Sequence, residues 1–420
     1  MALVACSAAV VWAADGPAPV TIFSDEAGFE SLFNGKDLTG WEGDERLWSV
    51  VDGAIRGQTT VEKPARHNTF LIRRDLLLKD FVLKIKFRIE NGNSGIQYRS
   101  KEAQDYVVGG YQAEVENNPG KVGFLYHERG RGWLVNVGDF MVIDEKGGKN
   151  VIAQVADRNE LIKAGYYKEK DWNEYTIICR GNHVMHYLNG FQTIELVDQD
   201  PKERLMEGIL ALQIHVGPPM TVEFKDIRVK HLKEKYGEAV MLFNGKDLSG
   251  WAFSSDANKA AWGVKDGVMT NKGEPGGYIR TEKDHTNYVL RMQLRHLGRG
   301  NGGVLLRAVG PDKVWPRSIE AQGQFRSMGD IWNIDEFPMQ VDPARTSGRH
   351  TRKLHETNEK DVGGWNEYEL YLNKGDLRLF VNGLLQNMAT QCWETPGKIG
   401  LQSEGSLMEF RNMVLVPIVE

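Results

Sequence analysis

Short runs in which apolar and polar residues alternate recur along the whole chain and predict β-strands. A period of two places successive side chains on opposite faces of a sheet. The clearest runs are Phe81–Ile89, Tyr111–Glu116, Tyr175–Cys179 and Tyr368–Leu372. Helical periodicity is confined to two stretches, Asp157–Ala164 and Glu26–Leu32. Many short strands with glycine-rich turns favour an all-β fold of two packed sheets, a sandwich or jelly roll.

Two Asn-Gly dipeptides each lie between alternating runs, at Asn189-Gly190 and Asn382-Gly383. Asn-Gly between two such runs is a strong sequence signal for a tight hairpin, because both turn residues must adopt positive φ. We expect a two-residue β-hairpin at each position.

Seven motifs occur twice in the same order, about 200 residues apart, which indicates a tandem duplication. FNGKDLTGW (33–41) returns as FNGKDLSGW (243–251), and WNEY (172–175) returns at 365–368. We expect a first copy at 22–232 and a second copy at 239–420, superposable and joined within Lys233–Ala239. The tryptophans of these motifs recur in both copies, so we expect Trp41, Trp172, Trp251 and Trp365 to be structural.

Composition narrows the possible functions. The chain has 41% hydrophobic and 26% charged residues and a formal net charge of −5, so nothing favours binding to nucleic acid or an anionic membrane. No run after the N-terminus approaches the ~20 apolar residues of a membrane helix. Residues 1–14 resemble the end of a secretory signal, which predicts an exported, periplasmic or extracellular protein. Cys179 and Cys392 fall in different copies and are expected to be buried free thiols.

Strand alternation identifies polar side chains that share a face in the first copy. Gln97 and Arg99 are expected to lie together on one strand, Gln213 and His215 on another, and Gln112, Glu114 and Glu116 on a third. A solvated outer face is the alternative for any single strand. The set favours a site, since solvated faces prefer Lys, Thr and Ser to this combination.

The segment Gly123–Leu134 (GFLYHERGRGWL) concentrates functional groups between glycines, as in a functional loop. His127, with Glu128 and Arg131 close by in sequence, could act as a general base, or as a metal ligand where carboxylates converge. The alternative is an ordinary surface or hydrogen-bonded histidine.

The motifs FNGKDLTGW, NSGIQYRS (93–100), GYQAEVEN (110–117) and GFLYHERGRGWL resemble the 3-keto-disaccharide hydrolase family, a concanavalin A-like jelly roll. The second copy resembles another branch of that family. The resemblance implies a glycoside substrate already oxidised at C3. A ketone there acidifies the C2 proton, so a base can remove it and the C1 substituent leaves by elimination, after which water adds back. Such a site needs a base of near-neutral pKa and an electrophile, either one divalent cation or Arg and His donors.

The resemblance and the alternation together assign candidate residues. In the first copy we expect a catalytic set of Glu114, His127 and His215 and a substrate-binding set of Gln97, Arg99, Glu128, Arg131 and Gln213. The second-copy candidates are Arg307, Glu320, His350 and Glu404, with Glu320 and Arg307 at the positions of Glu114 and Arg99. We expect Arg99, Glu114, His127 and His215 to converge on one concave face. If they point to opposite sides while Glu320, His350 and Glu404 cluster, the active site belongs to the second copy.

Two other functional classes compete with the enzyme. A non-catalytic carbohydrate-binding pair is the first, since this fold hosts lectins and hydrolases alike. A structural surface protein is the second. A cluster of His and Glu favours the enzyme, an aromatic platform without that cluster favours the lectin, and a concave face filled by apolar side chains favours the structural role.

Overall fold

The computed structural model describes residues 16–23 and 26–419. The signal-like segment 1–14 lies outside the described residues. The described part of the chain forms two β-sandwiches, one for each copy, and none of its helices is long and apolar enough to cross a membrane.

The first copy contributes sixteen strands and one short helix. The helix α1 spans Arg158–Lys163 and is capped by Asp157. The strands in chain order are β1 Glu30–Ser31, β2 Trp48–Val51, β3 Ala54–Gln58, β4 Thr69–Leu78, β5 Phe81–Asn91, β6 Asn93–Glu102, β7 Val108–Glu116, β8 Leu125–Glu128, β9 Gly132–Val135, β10 Asp139–Ile143, β11 Lys149–Gln154, β12 Asn173–Arg180, β13 His183–Leu188, β14 Phe191–Asp198, β15 Gly208–Ile214 and β16 Thr221–His231.

The second copy follows the same plan. Two short 3₁₀ turns occupy Asn258–Ala261 and Pro343–Arg345. The strands are β17 Lys235–Tyr236, β18 Val240–Met241, β19 Trp251–Phe253, β20 Trp262–Lys265, β21 Val268–Asn271, β22 Gly277–Thr281, β23 Tyr288–His296, β24 Gly303–Val309, β25 Arg317–Gln322, β26 Ile331–Ile334, β27 Thr346–Ser347, β28 His350–Thr351, β29 Asn366–Asn373, β30 Asp376–Val381, β31 Leu384–Ala389, β32 Lys398–Ser403 and β33 Met408–Val419.

Each sandwich packs a large sheet against a small one. In the first copy the large sheet has ten strands, ordered β11-β10-β14-β13-β12-β5-β16-β3-β2 with β1 on β16, and the small sheet has six, ordered β4-β15-β6-β7-β8-β9. In the second copy the large sheet has nine strands centred on β33-β23-β29, and the small sheet has eight, ordered β19-β22-β32-β24-β25-β26-β28-β27. Apolar side chains from the facing sheets fill each interior, so both copies are all-β jelly-roll sandwiches.

The strand and hairpin predictions are confirmed, and one of the two helix predictions is wrong. The four alternating runs are strands, and both Asn-Gly dipeptides join antiparallel strands with positive φ at Asn189 (51°) and Asn382 (46°). The predicted helix at Glu26–Leu32 is wrong, since this stretch forms turns and strand β1 on the edge of β16. Backbone pairing to a neighbouring strand prevails there over a weak local preference.

The two copies pack through the outer faces of their large sheets. Arg291 of the second copy bonds to Glu195 of the first copy at 2.6 Å and to Glu367 at 2.5 Å. Arg180 bonds to Glu369 across the same junction at 2.9 Å. A separate apolar cluster joins β10 and β14 to β33. The molecule therefore has four layers, and the outer faces of its two small sheets point in opposite directions.

The four recurrent tryptophans divide into two kinds. Trp41 and Trp251 are buried, and their indole N–H groups donate to the carbonyls of Leu32 and Leu242, as expected of structural residues. Trp172 and Trp365 instead lie partly exposed on the outer faces of the large sheets, beneath cationic side chains.

Candidate functional site

Polar side chains form a connected row on the outer face of the first small sheet. Ser100 donates to Gln97, Gln97 donates to Gln112 at 2.7 Å, and Gln112 donates to Glu114 at 2.8 Å. The row crosses the sheet over Gly95, where an added Cβ would lie 2.3 Å from the Gln112 side chain. A glycine is therefore required at this point for the amide and the carboxylate to meet.

The hairpin between β6 and β7 folds over this face and encloses it. The carbonyl of Tyr106 accepts a hydrogen bond from the Phe70 N–H on β4 at 2.9 Å, although two strands separate β4 from β7 in the sheet. Phe70 packs with Val108 and Ala211 in a small apolar cluster. Enclosure explains why the outward-pointing Gln213 is fully buried.

Glu114 is the chemically distinctive group of this face. It is 3% exposed and accepts hydrogen bonds from Gln112 and from Asn93. Burial raises the pKa of Glu114 to about 7, against the opposing effect of the two amide donors. Gln213 lies on the same face, and neither atom of its amide has a hydrogen-bond partner among the described residues. Buried amides without partners are rare and mark a place where a ligand or water can bind.

Glu128 and His215 lie at the rim of this face. Glu128 projects on the same side as Tyr126, the residue paired with Gln112. Burial raises the pKa of Glu128, while a hydrogen bond from Asn68 and the nearby His215 oppose the rise. Five predicted residues thus share the outer side of the first small sheet: Gln97, Glu114, Glu128, Gln213 and His215.

The prediction that Arg99 lies beside Gln97 is wrong. A β-bulge interrupts β6 after Tyr98, and Arg99 takes a φ of 48°. A bulge shifts alternation by one residue, so the side chain turns inward. The buried guanidinium donates to the carbonyls of Lys79, Gly181 and Leu205.

Arg307 repeats this arrangement in the second copy and is likewise wrong as a site residue. It has a φ of 49°, is fully buried, and donates to the carbonyls of Thr286, Trp393 and Lys374. The recurrence in both copies identifies the buried arginine as a structural feature of the fold.

The prediction that His127 and Arg131 reach the site is also wrong. Residues 125–128 form a strand, so His127 and Glu128 point to opposite faces. His127 packs edge-on against Tyr111, on the inner side of the sheet. Burial and the adjacent Arg131 lower the pKa of His127 to about 4. Arg131 is bound to Asp198 at 3.1 Å, so both residues belong to an internal polar cluster.

The strand register shows that the predicted equivalence of Glu320 and Glu114 is wrong. Gly95 pairs with Glu114, whereas its counterpart Gly303 pairs with Gln322. Glu320 is therefore not at the position of Glu114 but two residues away.

Glu320 instead occupies the position of Gln112, so carboxylate and amide have exchanged places on the same face. The tyrosine of the WNEY motif supports this register. Tyr175 donates to the carbonyl of Glu114, and Tyr368 donates to the carbonyl of Gln322.

Two carboxylates meet on the outer face of the second small sheet. An added Cβ at Gly303 would lie 2.5 Å from Gln402 and 3.2 Å from Glu320, so these side chains cross above the glycine. Burial raises the pKa of Glu320 to about 7, and the neighbouring Glu404 adds to the rise. Burial also raises the pKa of Glu404, whose Oε2 has no hydrogen-bond partner within the described part of the chain.

A histidine, a tryptophan and an arginine extend this face. Glu320 pairs with Trp332 and Trp332 with His350 across three strands, so their side chains lie on one side. His350 stacks on Trp332 with ring centroids 4.5 Å apart, and its Nε2 lies 2.8 Å from Asp330. The Arg349 guanidinium lies 5.2 Å from the Trp332 ring centroid, and its charge lowers the pKa of both Glu320 and Glu404. The second copy therefore gathers Glu320, His350 and Glu404 on one face.

Among residues 16–23 and 26–419, no group of three His, Cys, Asp or Glu side chains is arranged to hold a metal ion. The donors available for a cation are the carboxylates and amide oxygens of each face, Glu114 and Gln213 in the first copy and Glu320, Gln402 and Glu404 in the second.

Comparison with known families agrees with the duplicated fold. The sequence matches the 3-keto-alpha-glucoside-1,2-lyase-like domain over residues 28–230 and again over residues 238–416. The chain belongs to this family. Membership of the 3-keto-alpha-glucoside-1,2-lyase-like family supports a carbohydrate-active protein, with one family domain in each copy. No curated protein matches the chain.

Solved structures similar to this family member include three from bacteria. A protein from Parabacteroides distasonis, provisionally described as a glycosyl hydrolase, has 22% identity and a TM-score of 0.33 over 43% of this chain and 94% of its own. The carbohydrate binding module CBM66 from Bacillus subtilis has 16% identity and a TM-score of 0.31 over 46% and 98%. The β-glucanase of Bacillus licheniformis has 13% identity and a TM-score of 0.31 over 41% and 94%.

Sequence reasoning missed several residues of these family domains. Alternation placed Gln112 on the face of Glu114, but Gln112 was not included among the predicted site residues. Asn93, Gln322, Trp332 and Arg349 could not be found by alternation, because their relation to the carboxylates depends on cross-strand register.

Proposed function

We propose that the protein is an exported hydrolase or lyase that cleaves 3-keto-glycosides, and that its second copy carries the reaction. The observation that supports this most is the pair Glu320 and Glu404, both with raised pKa, on one face with His350 and Arg349. A carboxylate with a pKa of about 7 is half ionised at neutral pH, which suits a general base.

The reaction assigns a role to each group. The Glu320 carboxylate takes the C2 proton, which forms an enolate between C2 and C3. The Arg349 guanidinium and the Gln402 amide stabilise the negative charge on the C3 oxygen. The C3 ketone then re-forms, a C1–C2 double bond forms, and the C1–oxygen bond breaks. Glu404, on the same face, donates a proton to the departing oxygen. Addition of water across C1 and C2 completes net hydrolysis.

For the first copy we propose non-catalytic carbohydrate binding, so the lectin-like role applies to this copy alone. Trp133 is 45% exposed and stacks on Phe124 with centroids 3.7 Å apart, at the edge of the sheet that carries Gln112 and Glu114. An exposed aromatic ring beside amide donors is a typical surface for a sugar ring. His127 is turned away from this face and His215 lies at its rim, whereas His350 of the second copy stacks on Trp332, the residue paired with Glu320.

The test measures release of a chromogenic aglycone from a 3-keto-glucoside and from the matching unoxidised glucoside. We expect cleavage of the oxidised substrate only. Glu320→Gln should lower kcat by roughly a hundredfold or more, the usual scale for losing a general base, while Glu114→Gln should leave it within a factor of about two. Loss of activity in Glu114→Gln with full activity in Glu320→Gln would reverse the assignment of the copies. Cleavage of both substrates alike would refute the oxidised substrate.

A further inference from the structure

A cavity of about 480 Å³ lies where the two copies meet, away from the outer faces of the two small sheets. Its walls come from the segment Gly16–Val20, from the start of α1, and from Gln293, Trp365 and Arg411 of the second copy. Pockets of about 300–1,000 Å³ are typical of small-molecule sites. The volume is sufficient for a monosaccharide.

The carboxylates that line this cavity already have partners. Asp157 caps helix α1 by accepting hydrogen bonds from the N–H groups of Asn159 and Glu160. Glu160 is paired with Lys163 at 2.7 Å, and Glu367 accepts a hydrogen bond from Arg291 of the same copy. These groups add little unsatisfied negative charge to the cavity.

Arg411 has no comparable partner. Its Nε donates to the amide oxygen of Gln293 at 2.8 Å, which is the one hydrogen bond of this guanidinium within residues 16–23 and 26–419. The charge of Glu409 acts on Arg411 in the opposite sense to burial, but this carboxylate is itself bound by Arg295 at 2.5 Å. The guanidinium of Arg411 lies 4.1 Å from the centroid of the Trp365 ring, which holds it in place. Burial and the charge of Arg295 lower the pKa of Arg411 to about 10, so its positive charge is incompletely compensated.

The equivalent position in the first copy shows what is different here. Lys225 lies 4.0 Å from the Trp172 ring centroid, and the next residue, Asp226, is an exposed carboxylate paired with Lys86 at 2.7 Å. In the second copy the corresponding ion pair is replaced by two amides, Asn412 and Gln293, which bond to each other at 3.1 Å. The residue that follows Arg411 is therefore a neutral amide, whereas the residue that follows Lys225 is a carboxylate.

We propose that this cavity binds a small anionic sugar, with its carboxylate or phosphate group on the Arg411 guanidinium. The two terminal nitrogens of an arginine match the paired oxygens of such a group and form strong charge-assisted hydrogen bonds. Gln154, which also lines the cavity, supplies an amide for sugar hydroxyls. This site is independent of the chemistry proposed for the second small sheet.

The experiment titrates the full chain by calorimetry with glucuronate, glucose 6-phosphate, glucose and inorganic phosphate at neutral pH. At least one charged sugar should bind about tenfold or more tightly than glucose, the scale of a charge-assisted hydrogen bond. Arg411→Gln should remove this preference, and Lys225→Gln, the matched change in the first copy, should leave it intact. A preference for glucuronate would identify a sugar acid, and one for glucose 6-phosphate a sugar phosphate.

Asn412→Asp provides a second test that keeps the arginine. It restores the carboxylate of the first copy, and aspartate tolerates the positive φ of 53° at this position. The new carboxylate should pair with Arg411 and abolish binding of the charged sugar in a folded protein. Equal binding of glucose and the charged sugars, inorganic phosphate binding as tightly as either, or charged-sugar binding that survives both substitutions would overturn the proposal.

Discussion

Replacing Glu320 by glutamine should make the protein more stable and less active, and the gain in stability should depend on pH. Burial and Glu404 raise the pKa of Glu320 from 4.5 to about 7 in the folded state. A carboxyl group whose pKa is raised by folding binds its proton more tightly in the native protein than in the unfolded chain. The protonated Glu320 carboxyl group therefore stabilises the folded protein fully below about pH 4.5, and this stabilisation is lost as the pH rises through 7.

The size of the effect follows from the shift. A rise from 4.5 to about 7 is about 2.5 pKa units, and one unit corresponds to about 1.4 kcal/mol, so the ionised group costs about 3 kcal/mol at alkaline pH. Glutamine has nearly the same shape and carries no charge. The difference in free energy of unfolding between Glu320→Gln and wild type should therefore be about 3 kcal/mol more favourable to the variant at pH 8 than at pH 4.

Urea unfolding followed by tryptophan fluorescence at pH 4, 6 and 8 measures this difference. Glu356→Gln, at an exposed residue of the same copy, is the matched control for the lost charge and should show no comparable pH dependence. A stability difference between wild type and Glu320→Gln that is the same at all three pH values would refute the reasoning. Substitution of a purely structural glutamate would make the protein less stable. Substitution of a catalytic glutamate whose charge is disfavoured by burial makes the protein more stable.

Three further predictions concern the residues around the sites. Arg99→Ala should lower the free energy of unfolding by about 3 kcal/mol or more, because buried carbonyls lose their donors; an unchanged urea midpoint would contradict its structural role. Arg291→Met should cost about 3–5 kcal/mol by removing the guanidinium that bonds to both Glu195 and Glu367 at the junction, and a smaller loss measured by the same assay would mean that their remaining partners, His183 and Tyr187, compensate them. Trp133→Ala should weaken sugar binding by the first copy about tenfold without changing kcat, and equal affinity by calorimetry would remove Trp133 from the proposed platform.

Local sequence patterns predicted the architecture well because they reflect local physics. Alternation in Phe81–Ile89 and Tyr368–Leu372 follows from having one side chain in the core and the next outside it. The Asn-Gly turns follow from the positive φ that each hairpin requires. The duplication followed from repeated motifs that build the same core, as Trp41 and Trp251 show by donating to equivalent carbonyls.

The same alternation failed where the backbone left regular geometry or where a strand had been taken for a loop. At Arg99 a bulge changes which face the side chain reaches. At His127 a strand in place of a loop sends adjacent residues to opposite sides. Neither a bulge nor a strand boundary has a strong local signature, so both errors concern single residues within a correctly predicted fold.

The sequence by itself determined two all-β copies, their order, and the residue types available for chemistry, because core alternation and turn geometry are local properties. Tertiary structure alone decided which of those residues meet. Glu320 and Gln402 come from strands on either side of β24, and they cross because Gly303 leaves room between them. Cross-strand register, burial and the junction between the copies are non-local, so the raised pKa of Glu320 and the incompletely compensated charge of Arg411 exist only in the folded molecule.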